Sequence, residues 1–373
     1  MLDAAARATA QAVAAARGVT LLVNDPQRGT ATGEVLRRIQ PTLRGKRLRV
    51  IVATGSHHFG PEQRADFEQS LLAGLKVSAV AWHDARATDL CPIGPAGAVW
   101  HAHPWLLEDE DLLLAVGSCE PHYFAGITGA HKTVTIGCAS YGDIEANHRH
   151  ALSPASRPGR LEGNPVHDGV AAMLAALESR RPVLAVNLMQ LGDTVLAAAS
   201  GRPMEALEAL AEPVRQTYFC RLAAPADALV LEVDGPLGVS FYQADKGIKN
   251  SEWAVRDGGA LVLVAACPEG IGQSAFTRLL RDCPSFASIS ERVERQGYRL
   301  GDHKAVKLRY LTDARRVRVF VVSDGLSSDD AALLGFAKAP AALAALAAAG
   351  VRPGRDQVYR VRDAGNTCVA IDH

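Results

Sequence analysis

Between Pro121 and His148 the chain gathers side chains that can do chemistry. The run Pro121-His122-Tyr-Phe-Ala-Gly-Ile-Thr-Gly-Ala-His-Lys132 holds a histidine and a lysine with glycines at 126 and 129 between them, and Asn147-His148 follows. An imidazole can move a proton or bind a metal near neutral pH, and an amine can hold an acyl or carbonyl carbon covalently. Asp25-Pro-Gln-Arg28 sets a carboxylate close to a guanidinium, able to orient a base and clamp an anion. The same residues also make a helix start, with Asp25 as cap, Pro26 behind it and Arg28 at the surface. Thr54-Gly-Ser-His57-His58 places imidazoles beside small residues that allow close backbone approach, and at most one of the two adjacent histidines should serve as a base. In the second half, Gln243 and Lys246 could both reach a carboxylate, or form an ordinary solvated helix face.

Other motifs point less far. His101-Ala-His103 and His148-Arg-His150 have chelate-like spacing, but no spaced carboxylate or cysteine accompanies them, and surface positions are expected for His101, His103 and His150. Gly270-Ile-Gly272 lacks a third glycine at dinucleotide spacing and no Walker lysine is present, which disfavours nucleotide hydrolysis and hydride transfer from a nicotinamide.

The elements that must position these residues alternate. Val19–Asn24, Leu48–Ala53, Val77–Trp82, Leu112–Gly117 and Pro182–Met189 read as buried strands, separated by helical stretches such as Glu34–Arg38 and Glu62–Ala73. That rhythm predicts an α/β fold with a doubly wound, largely parallel sheet. A second series begins near residue 222, with strands at Leu229–Val233, Ala260–Ala265 and Val317–Ser323 and one helix over Asp329–Ala349. Two domains are therefore expected, 1–222 and a smaller α/β domain 223–373, with the last ~15 residues in the second or returning to the first. The polar clusters at Asp25–Arg28, Thr54–His58, His83-Asp84 and Ser118–His122 all follow strands, at the carboxyl edge where open α/β sheets bind ligands.

Composition narrows the partner. Hydrophobic residues make up 48%, and 40 basic residues balance 40 acidic ones, so no long-range field recruits nucleic acid or an anionic membrane, and a small molecule is the expected partner. The Ala-rich Met1–Arg17 reads as a surface helix rather than a signal peptide, and Ala341–Gly350 is too short to cross a bilayer. Seven cysteines without a CxxC pair fit a reducing compartment, and a cytoplasmic protein is expected.

Taken together these segments resemble the lactate racemase family, the nickel-pincer-nucleotide racemases and epimerases of 2-hydroxy acids. Asp25-Pro-Gln-Arg28 is similar to the family's Asp-x-Thr-Arg, Thr54-Gly-Ser-His57 to its Thr-Gly-x-His, and Pro121-His122, Gly126, Gly129, Lys132 and His148 to its cofactor segment; Gln243-x-x-Lys246 is similar to its second-domain pair. The resemblance implies a pyridinium mononucleotide carrying nickel, tethered to Lys132 through a thioamide, with His148 completing the metal's tetragonal coordination. It implies that His57 and His122 are the two acid/base residues, that Arg28, Gln243 and Lys246 hold the substrate, and that Asp25, Gly126 and Gly129 support the cofactor site. It also implies an active site in the cleft between domains, a 2-hydroxy acid as substrate and cofactor-assembling proteins as partners. The chain departs from the pattern at His58, at Ala130-His131 and at His303-Lys304, where the family places a tryptophan nearby; His58 and Lys304 point to a bulkier or more polar acid than lactate. Two other readings compete, a zinc-dependent hydrolase built on His101 and His103 and a non-catalytic cofactor-binding protein on the same fold.

Overall fold

The computed structural model describes residues 1–108, 111–272 and 274–372. They form two compact units, Met1–Thr217 and Tyr218–His373.

The first unit is built on a six-stranded sheet in the order 194–201, 183–191, 112–118, 18–24, 47–53, 79–82. Neighbours are parallel except for the edge hairpin of Val183–Leu191 and Thr194–Gly201. The near-continuous Val/Leu/Ile runs that announced these strands are what a sheet covered on its faces requires. Leu21, Val23, Val50, Val52, Leu114 and Val116 pack with Val35, Leu36 and Ile39 of the helix Thr32–Leu43 and with Ala5, Ala6 and Val13 of the helix Leu2–Ala15. Each valine, leucine or isoleucine among them taken out of water contributes about 1.5–3 kcal/mol. The expected helix over Met1–Arg17 is therefore present, but its alanine face is part of the core.

Register decides where the polar segments emerge. Asn24 pairs with Ala53, and Ser118 with Leu188, so Asp25, Thr54 and Cys119 leave the sheet at its carboxyl edge. From Gly18–Asn24 the chain runs outward to Arg47–Ala53 and Ala79–Trp82, then returns to Leu112–Ser118 on the other side of the first strand. That reversal opens a crevice beside the ends of Gly18–Asn24 and Leu112–Ser118.

The second unit holds a five-stranded parallel sheet in the order 337–338, 318–322, 255–264, 226–232, 358–361. Leu229, Leu231, Leu261, Leu263 and Val321 pack with Phe241 and Ile248 of the helix Phe241–Ser251, while Val230, Val262 and Phe320 face Ala345 and Leu346. Cys368–Ile371 pairs in parallel with Phe219–Leu222 inside this unit. The single helix expected over Asp329–Ala349 is instead two, Ser328–Leu334 and Ala342–Ala348, with the short strand Ala337–Lys338 between them. Gly335 closes the first with φ +79°, its N–H returning to the Ala331 and Ala332 carbonyls, and Pro340 cannot continue a helix. Alanine propensity gave way to these two residues. No helix among the described residues is long and apolar enough to cross a membrane.

Candidate active site

Asp25 performs both tasks that its sequence position allowed. It caps the turn Pro26–Arg28, one carboxylate oxygen accepting the Gln27 N–H at 2.9 Å, while its other oxygen lies 3.0 Å from His57 Nδ1. Gly29, at φ +56°, reverses the chain after Arg28, whose side chain is exposed. On the neighbouring strand end, His57 N–H donates to the Thr54 carbonyl, and Gly55 N–H donates to Gly137 O at 3.0 Å. Thr54 Oγ1 donates to the His83 carbonyl at 2.5 Å and is itself buried. These bonds hold His57 on a short tight turn rather than a loose loop.

The segment after Ser118 forms a small hairpin in which Pro121-His122 pairs with Gly126-Ile127. Thr128 Oγ1 donates to the Ser118 carbonyl at 2.7 Å and accepts the Glu120 N–H at 3.1 Å, tying the hairpin to its strand. Inside the hairpin, His122 Nδ1 accepts backbone N–H bonds from Ala125 at 3.2 Å and Phe124 at 3.5 Å. Asn187 Oδ1 then accepts the Ala130 N–H at 2.7 Å, which starts the short helix Ala130–Val134 that carries Lys132. A Cβ on Gly129 would stand 2.9 Å from that Asn187 oxygen, so the close approach needs glycine. Ser140 caps the helix Tyr141–His148, and His148 stands in its last turn.

A cavity of about 110 Å³ at this edge is lined by Asp25, Arg28, His57, His122, Gly129, Lys132 and His148. Beneath it lies Phe124, only 2% exposed, whose ring is 4.4 Å from that of His122, 5.0 Å from that of His148 and 5.8 Å from the Lys132 amine.

The cavity sets the charge states of two of its groups. Burial, then the Arg28 charge, pushes the Lys132 amine down to about 7, with Glu120 pulling the other way. Burial, then the charges of Lys132 and Arg28, pushes His148 down to about 3. A neutral imidazole with a buried Nδ1 that has no hydrogen-bond partner, beside an amine that loses its proton near neutrality, is a donor set suited to a metal and to covalent attachment.

Other expected residues fall elsewhere. Gly126 is not on the cavity wall: its φ of +79° turns the hairpin, and a side chain there would overlap the Arg160 carbonyl. His83-Asp84 makes no contribution, since His83 is buried with Nε2 at 2.9 Å from the Ala139 carbonyl. His58 is exposed and off the lining, and His131 is buried with its ring against His167, so neither departure from the family pattern alters the cavity wall. His101 is exposed beside Asp143, as expected, but His103 is half-buried, its Nδ1 accepting the Trp105 N–H, and burial pushes it down to about 4. Among the described residues no three histidine, cysteine or carboxylate side chains gather as a metal site. Gln243 and Lys246 stand on the helix Phe241–Ser251 of the second unit, Gln243 exposed and Lys246 half-buried.

Phe124, Asn24, Thr128 and Thr133 join or support the site without having been singled out in the sequence. Asn24 and Thr133 are joined by a 2.7 Å bond from Thr133 Oγ1 to Asn24 Oδ1. A polar residue at the last position of a strand, as with Asn24, was the available signal.

Comparison with known proteins points to one family. Residues 3–159 match the lactate racemase N-terminal domain, and residues 223–362 the lactate racemase C-terminal domain. A lactate racemase from Thermoanaerobacterium thermosaccharolyticum is 28% identical over 271 residues, 70% of this chain and 62% of that protein. One from Lactiplantibacillus plantarum is 27% identical over 254 residues, 66% of this chain and 59% of that protein. The alignments thus span less than two thirds of either relative. The structure of the T. thermosaccharolyticum lactate racemase apoprotein superposes with a TM-score of 0.86 at 23% identity, covering 99% of this chain and 92% of that one. A crystal structure of a Thermotoga maritima protein gives 0.74 at 14% identity, covering 100% and 98%. These likenesses establish the fold, and with the two domain matches the chain belongs to the lactate racemase family.

Proposed function

We propose that this protein is a racemase or epimerase that inverts the hydroxyl-bearing C2 of a 2-hydroxy acid, and that it carries a nickel-pincer nucleotide on Lys132. The observation that carries the reading is the convergence of Lys132, His148, His57 and His122 on one cavity. The residues present fit the group: the Lys132 amine, pushed down to about 7 by burial, would hold it covalently, and the buried His148 imidazole, pushed down to about 3, would ligate its metal. When bound, such a group supplies a reversible hydride acceptor, which turns a secondary alcohol into a planar 2-keto acid.

The chain's own residues do the rest. His57, oriented by Asp25, and His122 are the groups that meet the oxygen on C2, and proton transfer at such a pair contributes about 10²–10⁴-fold. The Arg28 guanidinium binds the carboxylate and holds the keto acid while its carbonyl reorients, a task for a charged, multidentate donor. A tethered cofactor also calls for cofactor-assembling proteins as partners. The test is chiral chromatography after incubating cofactor-loaded protein with lactate, malate, longer hydroxy acids and sugar acids. Interconversion of the two hands of one of them is expected, with an adduct at Lys132 in the intact mass. No inversion across the panel by protein that carries the adduct would end the catalytic reading.

A further inference from the structure

Two cations share the cavity wall with no anion committed to either. The Arg28 guanidinium and the Lys132 amine both line it, and among the described residues neither side chain makes a hydrogen bond or an ion pair. The amine has the Phe124 ring at 5.8 Å. Asp25 is the one carboxylate on the wall, and both of its oxygens are engaged, one by the Gln27 N–H and the other by His57. Glu120 acts on the amine from off the wall. Like charges on one wall oppose each other, and the strain is relieved when the amine sheds its proton or becomes an anion. Of the two cations only the lysine can do either, since a guanidinium keeps its charge.

From this pairing we propose that Lys132 of the apoprotein is a carbamylation site: its amine takes up dissolved carbon dioxide, and the Arg28 guanidinium holds the carbamate that results. The nitrogen lone pair forms the N–C bond, one C=O electron pair moves onto oxygen, and one N–H proton leaves to water. RNH₂ and CO₂ thus give RNHCOO⁻ and H⁺, with no oxidant, reductant or further reactant. Burial and the Arg28 charge press the amine toward its neutral form, which is the nucleophile in this step. The product is a planar group with two acceptor oxygens, the shape a guanidinium fork binds best. Two opposed cations become one ion pair. The site goes beyond the racemase reading and does not require it. Where that reading holds, the carbamate stands on the nitrogen that the cofactor must occupy, so loading competes with carbon dioxide.

The test is to equilibrate full-length apoprotein with ¹³C-bicarbonate near neutral pH and trap it with trimethyloxonium, which converts a carbamate into a stable methyl ester. Peptide mass spectrometry then locates the label in the wild-type chain. Lys132 should carry it, above the level of any surface lysine. In Arg28→Ala the label on Lys132 should fall about tenfold, the worth of one charge-assisted hydrogen bond, while labelling of the other amines stays as it was. Label confined to amines other than Lys132, or equal labelling of Lys132 in wild type and Arg28→Ala, would overturn the proposal. Absence of inversion by adduct-bearing protein would instead remove the racemase reading, and the trapping result on the apoprotein would stand apart from it.

Discussion

Nδ1 of His57 lies 3.0 Å from Oδ2 of Asp25, a residue only 3% exposed whose other oxygen is committed to the Gln27 N–H. The carboxylate thus fixes a ring orientation across two strand ends. In Asp25→Asn the amide oxygen would keep the Gln27 bond and turn its NH₂ toward His57, which moves the imidazole hydrogen to Nε2 and removes the lone pair the reaction needs. Racemisation by loaded protein should fall by about 10²–10⁴-fold. The melting temperature should change little, because the cap is preserved; a large drop in stability would show that Asp25 is structural first.

Lys132 should behave as an unusually nucleophilic amine. Its value is pushed from 10.5 down to about 7, chiefly by burial. Amine acylation of the apoprotein, followed site by site by peptide mass spectrometry, should show Lys132 reacting with a midpoint near pH 7 and surface lysines reacting only at much higher pH. The stability sign follows from the same shift. Between about 7 and 10.5 the unfolded chain binds more protons at this residue than the folded one, so the unfavourable contribution of Lys132 is full below 7 and fades as pH rises. Lys132→Met should therefore stabilise the apoprotein most at pH 6 and least at pH 10, measured by denaturant melts.

The site was legible where strand ends met polar residues, and illegible where packing decided. Asp25, His57 and His122 could be named because reactive side chains followed Val/Leu runs whose ends register brings to one edge, whereas Lys132 and His148 were named through the family resemblance. His83-Asp84 occupied an equivalent sequence position, yet the ring turned to the Ala139 carbonyl inside the protein, which strand periodicity does not foretell. Gly126 carried a family signal for the cofactor, but its requirement is the tight turn against Arg160. Phe124 offered no signal at all, since an aromatic beside an alanine is most often core. The long alanine-rich stretch misled in the opposite sense: Gly335 and Pro340 were visible, and propensity summed over the window outweighed them.

Metal retention should separate the histidines. His148 is neutral, lines the cavity and has a buried nitrogen without a partner, whereas His101 is exposed and occupied by Asp143. Loaded His148→Ala should lose nickel on gel filtration while keeping the mass of the organic adduct on Lys132. His101→Ala should hold nickel as the wild type does. Metal analysis in parallel with intact mass distinguishes these, and loss of metal in the His101 variant with retention in the His148 variant would reverse the assignment.

Phe124 is the place where stability and function should come apart. Its ring touches the rings of His122 and His148 and lies below the Lys132 amine, and it packs with Ala125, Ala151 and Val166 in a small buried cluster. Phe124→Ala removes both the apolar volume and the platform, so a loss of about 3–5 kcal/mol is expected together with loss of activity. Phe124→Leu refills most of the volume and should cost about 1–2 kcal/mol. It cannot restore the flat face against which three site groups are set, and displacement by even about 1 Å can cost on the order of 10²-fold in rate. The leucine variant should thus be folded and loaded at room temperature yet slow. Equal recovery of stability and rate in that variant would mean that Phe124 fills space and does not align the site.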